Sequence, residues 1–185
     1  MLNKTLKLNH FRYQARNPKS GEFIENPKAI VFYVHGYGDY ASRYAYVGEY
    51  LSKLGIEFAG LDQRGFGTSE GSEGKIESFE TNVDDNLEFH SKYCLHFSYL
   101  KNVPKFMLSG SFGAQLILYC HLKKPDFYTG IAMGGPYFRH HDEELHQKLM
   151  PYINFITNFV NRDYRMNFGY DTKQKPHIEH WDKDP

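Results

Sequence analysis

The chain has 185 residues, and a hydrophobic fraction of 41% is enough for the core of one globular domain. Its 22 basic and 22 acidic side chains cancel, so no net charge attracts nucleic acid, which is not expected as a partner. No apolar run reaches the ~18 residues that a transmembrane helix needs. The two cysteines fall in predicted helices, and the first residues lack the apolar run of a secretory signal. We therefore expect a reducing, cytoplasmic setting.

Apolar runs alternate with helical patterns along the chain, an order that predicts a mostly parallel sheet covered by helices. Runs of β-branched and aromatic residues mark strands, and apolar residues at steps of three and four mark helices. The predicted strands cover residues 6–13, 29–34, 56–61 and 131–133, and the predicted helices cover 44–54, 79–97 and 116–120. Gly55 is a candidate left-handed stop after the first helix. His90 and Cys94 fall on the apolar stripe of the second helix and are assigned to the core.

The pattern changes near Asp142. Beyond this residue, apolar side chains recur at an amphipathic helical spacing that Pro151 interrupts, which predicts a lid or cap. The apolar positions are Leu145, Leu149, Ile153, Ile156 and Val160. We therefore divide the chain into an α/β core, residues 1–139, and an incomplete cap region, residues 140–185.

Residues 104–119 combine a short buried strand, a tight turn and an apolar helix. This is the setting of a nucleophile elbow, in which a strained strand-to-helix turn exposes a serine hydroxyl. The flanking residues must be small because the backbone packs closely there, and Ser109 and Gly113 meet this need for Ser111. With Ser109 as the nucleophile, Met107 would occupy a small position. Ser111 is therefore the candidate nucleophile, and an ordinary strand-to-helix turn is the alternative interpretation.

Two glycine-rich segments follow predicted strands upstream of this turn. The first, His35-Gly36-Tyr37-Gly38-Asp39, follows strand 29–34, where glycines let backbone N–H groups point into a site and stabilise an oxyanion. The second, residues 61–71, carries three glycines but no Gly-Lys-Ser/Thr of a phosphate-binding loop, so a structural turn is favoured. A plain glycine-rich turn is the alternative interpretation of the first segment.

Together, the three segments resemble the α/β-hydrolase family, and within it the monoacylglycerol lipase and lysophospholipase branch. The family's His-Gly loop resembles residues 35–38, its Asp-x-Arg-Gly-x-Gly-x-Ser-x-Gly loop resembles residues 62–71, and its elbow resembles residues 109–113. The similarity covers residues 29–136. Within the elbow, the chain has Ser-Gly-Ser-Phe-Gly-Ala where the family usually has Gly-His-Ser-Met-Gly-Gly. The resemblance implies an α/β-hydrolase fold with a mostly parallel sheet and a helical cap.

The resemblance also implies roles for individual residues. Ser111 would be the nucleophile, and the backbone N–H groups of Tyr37 and Phe112 would form the oxyanion hole. The residues that would shape the site or fix its loops are His35, Gly36, Gly113, Asp62 and Arg64. The substrate would be a carboxylic ester of a single-chain lipid, cleaved through an acyl-serine intermediate without a cofactor or metal. Any membrane contact would be peripheral, through the cap.

In the family, a triad acid and histidine come later in the chain, on loops after two further strands. Nothing in this chain corresponds to those C-terminal strands, which are expected to be missing from its fold. Without a base, the Ser111 hydroxyl stays protonated and is a poor nucleophile. Two hypotheses stay open: a serine ester hydrolase whose chain continues beyond Pro185, and a non-catalytic remnant that binds lipid or a protein partner.

Histidines within the chain are weaker candidates for the base. His140, His141 and His146 lie beside acidic residues of the predicted cap, where a solvated surface is the favoured interpretation. His177 and His180 are only two imidazoles, and a zinc site needs three or four ligands, so no metal site is predicted.

The last predicted strand, residues 131–133, has a consequence for assembly. A sheet that ends there would have an open edge, and open edges pair with other chains. We therefore expect this polypeptide to be marginally stable or to self-associate through that edge.

Overall fold

The structure, a computed structural model, describes residues 6–136, which belong to the compact unit Met1–His140. These residues form a five-stranded sheet with the order β1-β3-β2-β4-β5. The strands are β1 (His10–Tyr13), β2 (Ala29–Val34), β3 (Ile56–Leu61), β4 (Lys105–Gly110) and β5 (Gly130–Gly134). Strand β1 runs antiparallel to β3, and all other pairs are parallel. The predicted, mostly parallel sheet is confirmed.

Three helices connect the parallel strands of the described region. They are α1 (Ala45–Lys53), α2 (Phe79–His96) and α3 (Ser111–Lys123), and short 3-10 turns lie at Ala41–Tyr44, Ser98–Leu100 and Pro125–Phe127. Helix α2 begins where the Ser78 hydroxyl accepts a hydrogen bond from the backbone N–H of Thr81, at 3.0 Å. Helix α1 is followed by Gly55 at φ 80°, the left-handed stop that the sequence predicted. None of these helices is both long and apolar enough to span a bilayer.

The continuous apolar run of β2 is buried on both faces, as expected of a strand inside a parallel sheet. Ile30, Phe32 and Val34 pack into the cluster that contains residues of α2 and α3. Val31 and Tyr33 point to the other cluster, where side chains of α1 pack. The alternation of side chains along one strand therefore places helices on both faces of the sheet.

Strands β2 and β3 have the predicted bounds, but β1 is shorter than the predicted strand, residues 6–13. It begins at His10 because the preceding backbone bonds to the loop after β3 instead of to β3 itself. The N–H of Asn9 donates to the Ser69 hydroxyl at 2.8 Å, and the N–H of Lys7 donates to the Glu70 carboxylate at 3.0 Å.

The assignments of cysteines and His90 to helices and core are confirmed. Cys94 lies in α2 and Cys120 in α3, and both thiols are free and buried. His90 is fully buried and stacks on Phe32, with ring centroids 4.1 Å apart. The predicted cap, residues 140–185, lies outside the described residues. Within residues 6–136, β5 pairs only with β4, so the predicted self-association through this edge stays a prediction.

Candidate active site

Ser111 occupies the junction between β4 and α3. Gly110 is the last residue of the strand, and Ser111 is the first residue of the helix. Ser111 has a φ of 52°, and it is the one non-glycine residue with a positive φ in the described part of the chain. A left-handed backbone at a residue with a Cβ costs roughly 1–2 kcal/mol. The turn is therefore strained, and it leaves Ser111 exposed.

Close packing of α3 against the end of β2 holds this turn. A Cβ placed on Gly113 would lie 2.5 Å from the carbonyl oxygens of both Val34 and His35, so only glycine fits there. Ser109 is 3% exposed, and its hydroxyl donates to the carbonyl oxygen of Val34. Ser109 thus serves in the position where the family usually has glycine, because its one polar atom has a partner.

The loop after β2 lies directly against Ser111. A Cβ placed on Gly36 would be 3.4 Å from the Cβ of Ser111 and 3.5 Å from the carbonyl oxygen of Gly110. The following residue, Tyr37, is 53% exposed, and its hydroxyl donates to the carbonyl oxygen of Gly74 at 2.9 Å. Phe112 lies in the first turn of α3, where backbone N–H groups have no carbonyl partner within the helix. The glycine loop and the helix start therefore meet at Ser111.

His35 is a structural residue of this loop. Its Nε2 accepts a hydrogen bond from the backbone N–H of Gln63 at 2.8 Å, so the ring proton sits on Nδ1, which donates to the carbonyl oxygen of Gly36 at 2.8 Å. Burial lowers the pKa of His35 below its usual range. Both ring nitrogens are engaged and the ring is neutral, so His35 fastens two loops and is not free to accept a proton.

Asp62 and Arg64 fix the second glycine-rich loop, as the resemblance implied. The Asp62 carboxylate accepts from the backbone N–H of Ala41 at 2.8 Å and from the backbone N–H of Thr68 at 3.1 Å. The Arg64 guanidinium binds both oxygens of Asp85, at 2.8 Å each, and anchors the loop to α2. These contacts join the second glycine-rich loop to α2 and to the segment that follows the first loop.

Gln63 joins the two glycine-rich loops directly, and the sequence did not single it out. Its side-chain amide donates to the carbonyl oxygen of His35 at 2.7 Å, while its backbone N–H donates to the same residue's ring. The available signal was topological: β2 and β3 are adjacent parallel strands, so the residues that follow them meet at one edge of the sheet.

Other candidate groups are not brought to the site within residues 6–136. The histidines at 140, 141, 146, 177 and 180 lie outside the described residues. Among described side chains, no hydrogen bond joins Ser111 to a histidine or carboxylate. Within the same residues, no group of three or more His, Cys, Asp or Glu side chains is placed to hold a metal ion.

A strained serine between a parallel strand and a helix, facing a glycine loop after the adjacent strand, defines an α/β-hydrolase. The chain belongs to the family described as serine aminopeptidase, S33, whose model matches residues 25–185, and to the monoacylglycerol lipase branch of the α/β-hydrolases.

Two relatives illustrate the similarity. The monoglyceride lipase homolog of Monkeypox virus is 32% identical over 117 residues, which cover 61% of this chain and 40% of that protein. The monoacylglycerol lipase of Mycolicibacterium smegmatis is 25% identical over 167 residues, which cover 84% of this chain and 58% of that protein. The chain therefore spans about half the length of these curated relatives.

A solved structure supports the fold. A soluble variant of monoglyceride lipase from Saccharomyces cerevisiae, in complex with a substrate analog, superposes with a TM-score of 0.69 at 24% identity, covering 92% of this chain and 54% of that chain. At this identity, the likeness is one of fold.

Proposed function

We propose that the chain carries the nucleophile and oxyanion hole of a serine hydrolase that cleaves carboxylic esters of single-chain lipids. The observation that carries this proposal is the strained Ser111, which is exposed on its turn and faces Gly36. Protein backbones keep such strain where the surrounding structure enforces it, and these places are commonly functional sites.

In this mechanism, the Ser111 oxygen attacks the ester carbonyl carbon while a base takes the hydroxyl proton. The carbonyl oxygen gains negative charge, which the backbone N–H groups of Tyr37 and Phe112 stabilise. Collapse of the tetrahedral species breaks the ester C–O bond and forms the acyl-serine, and the leaving oxygen takes the proton from the base and departs as the alcohol. Water then hydrolyses the acyl-serine. His35 is excluded as the base because both of its ring nitrogens are engaged.

The substrate class is proposed from the relatives. Among the similar proteins, one from rat is named a monoglyceride lipase and one from Monkeypox virus is named a monoglyceride lipase homolog. A monoglyceride is a single-chain glycerol ester. Acyl length and head group are left open by this argument. A cytoplasmic location with peripheral membrane contact fits such a substrate and stays a prediction.

The test is labelling of the native gene product with a fluorophosphonate, followed by intact-mass measurement and an assay of monoacylglycerol hydrolysis. We expect one label on Ser111, and Ser111→Ala should lower turnover by roughly 10⁴-fold or more. Ser98→Ala is the matched control, since Ser98 is exposed on the turn before β4. Equal turnover of the wild-type chain and Ser111→Ala would contradict the proposal.

The second candidate function is binding of lipid or a protein partner without catalysis. It is favoured by one observation, that Ser111 has no hydrogen bond to a base among the described side chains. A native product that is not labelled, yet binds a fluorescent monoacylglycerol analogue, would support this alternative.

Self-association is proposed through β5. Met133 of this strand is 39% exposed, although the inner strands of the sheet are largely buried. Sedimentation equilibrium tests the proposal, and a monomer at micromolar concentration would contradict it.

A further inference from the structure

Asp39 follows the turn that carries the proposed oxyanion donor, two residues after Tyr37. Its side chain is buried, with 8% of the residue exposed. One carboxylate oxygen accepts from the backbone N–H of Tyr40 at 2.9 Å and pairs with the guanidinium Nε of Arg43 at 2.9 Å. The other oxygen accepts from the hydroxyl of Tyr44 at 2.8 Å. Asp39 is therefore held by three groups of the segment that leads into α1.

Tyr44 connects this carboxylate to the strand from which the loop starts. Its ring packs on Tyr33 of β2, with centroids 4.2 Å apart, and Tyr33 is 5% exposed. Burial raises the pKa of Tyr44 to about 12, so its hydroxyl is protonated at neutral pH and continues to donate to Asp39. The two ends of the loop are thereby connected, because Tyr44 contacts both Tyr33 in β2 and Asp39 at the far end of the loop.

The backbone in the middle of the loop has little packing of its own. Gly38 has a φ of 69°, and a Cβ placed on it would meet no atom within 4 Å. Tyr37 is half exposed. The Tyr37 side chain is held at its far end, by the hydrogen bond of its hydroxyl to Gly74 and by an edge contact with the ring of Phe66. The direction of its backbone N–H is set by the two ends of the loop, with His35 on one side and Asp39 on the other.

We propose that Asp39 is a positioning residue for the oxyanion hole, acting through the backbone of Tyr37. This inference rests on the proposed function. A donor that stabilises charge only in the transition state contributes to kcat and not to substrate binding. Loosening the loop at Asp39 should therefore lower kcat with little change in KM.

The experiment compares the native chain with Asp39→Asn and Tyr44→Phe. The asparagine keeps an acceptor for the Tyr40 N–H but loses the charge that pairs with Arg43, and the phenylalanine removes one donor while keeping the ring. Glu49→Gln is the matched control, because Glu49 is an exposed carboxylate paired with Lys53 on α1, at 2.7 Å. Rates are divided by the concentration of sites titrated with a fluorophosphonate, so that misfolded molecules do not count.

For Asp39→Asn we expect kcat per titrated site to fall about 10-fold, less than the loss of an oxyanion donor, with KM within 2-fold. In Tyr44→Phe, kcat per titrated site should fall less than in Asp39→Asn, and in Glu49→Gln it should equal that of the native chain. A native kcat per titrated site in Asp39→Asn, with only a lower melting temperature, would overturn the inference and leave the proposed function intact. A native chain that neither hydrolyses esters nor takes the label would overturn both.

Discussion

Buried polar side chains have different structural roles at the two ends of the sheet. At the carboxyl ends of the strands, they fix loops around a strained backbone, that of Ser111. At the amino ends, they join strands to helices. The fully buried Glu57 of β3 accepts from Arg12 Nε at 2.9 Å, from the Tyr93 hydroxyl at 2.7 Å and from the Tyr99 hydroxyl at 2.9 Å.

This difference suggests that stability and activity are separable in the molecule. A buried carboxylate with three donors contributes to the free energy of unfolding and lies at the end of β3 away from the site. The elbow, in contrast, lowers the free energy of unfolding through its backbone strain. Substitutions at the two ends should therefore move the two properties independently.

Glu57→Gln should give the largest change in stability. The amide keeps the shape of the side chain but loses the charge that pairs with Arg12, and it presents an N–H₂ group to hydroxyls that now donate. We expect the free energy of unfolding to fall by about 2–3 kcal/mol, measured by urea denaturation, with unchanged turnover per titrated site.

The control for this substitution is Glu88→Gln, which removes an exposed carboxylate from its pair with Lys92 on α2. It should change the free energy of unfolding by less than about 0.5 kcal/mol. A loss of turnover per titrated site in Glu57→Gln, without a loss of stability, would mean that the two ends of the sheet are not independent.

The buried His90 is expected to make the free energy of unfolding sensitive to acid. It is fully buried, with Nδ1 2.7 Å from the Tyr128 hydroxyl, and burial lowers its pKa to about 3, with a smaller contribution from the charge of Lys124. In the unfolded chain, histidine titrates near pH ~6.5. Between pH ~6.5 and ~3 the unfolded chain therefore binds more protons, and the free energy of unfolding falls as the pH falls.

The slope from this one residue is at most about 1.4 kcal/mol per pH unit. His90→Phe removes the titrating group and keeps a ring that can stack on Phe32. Urea denaturation at pH 7, 6 and 5 should show a shallower loss of stability in this variant than in the native chain. Parallel curves would show that His90 does not carry the effect, since His35 is retained in both proteins.

The sequence predicted those parts of the molecule that depend on local pattern. Strands β2 and β3 are apolar runs with clear ends, and the elbow is a contiguous segment whose register was decided by the size of the residues around Ser111. The serine's left-handed backbone agrees with that choice of register. Its catalytic role stays a proposal.

The polar networks could not be predicted in the same way. Glu57 and its three donors come from four separate places in the chain, and an isolated glutamate in an apolar run carries no signal of its partners. The same holds for Asp39: its partners follow it closely in the chain, but one of them, Tyr44, is placed by packing against Tyr33 of β2. Such contacts depend on which strands become neighbours, and that is a property of the whole sheet.

The strain at Ser111 itself predicts the smallest effect. In Ser111→Ala the Cβ remains, and so does the roughly 1–2 kcal/mol cost of the left-handed backbone. In Ser111→Gly this cost disappears, but glycine gives the unfolded chain more conformational entropy, which favours unfolding by roughly 0.5–1 kcal/mol. The glycine variant should therefore be more stable than the alanine variant by about 0.5–1 kcal/mol in urea denaturation, although the proposed function expects both variants to be inactive. At Lys92, exposed within α2, the same pair of substitutions should reverse in order, with glycine about 1 kcal/mol less stable. If glycine were also the less stable at position 111, the elbow would hold no strain, and the main support for Ser111 as the nucleophile would be lost.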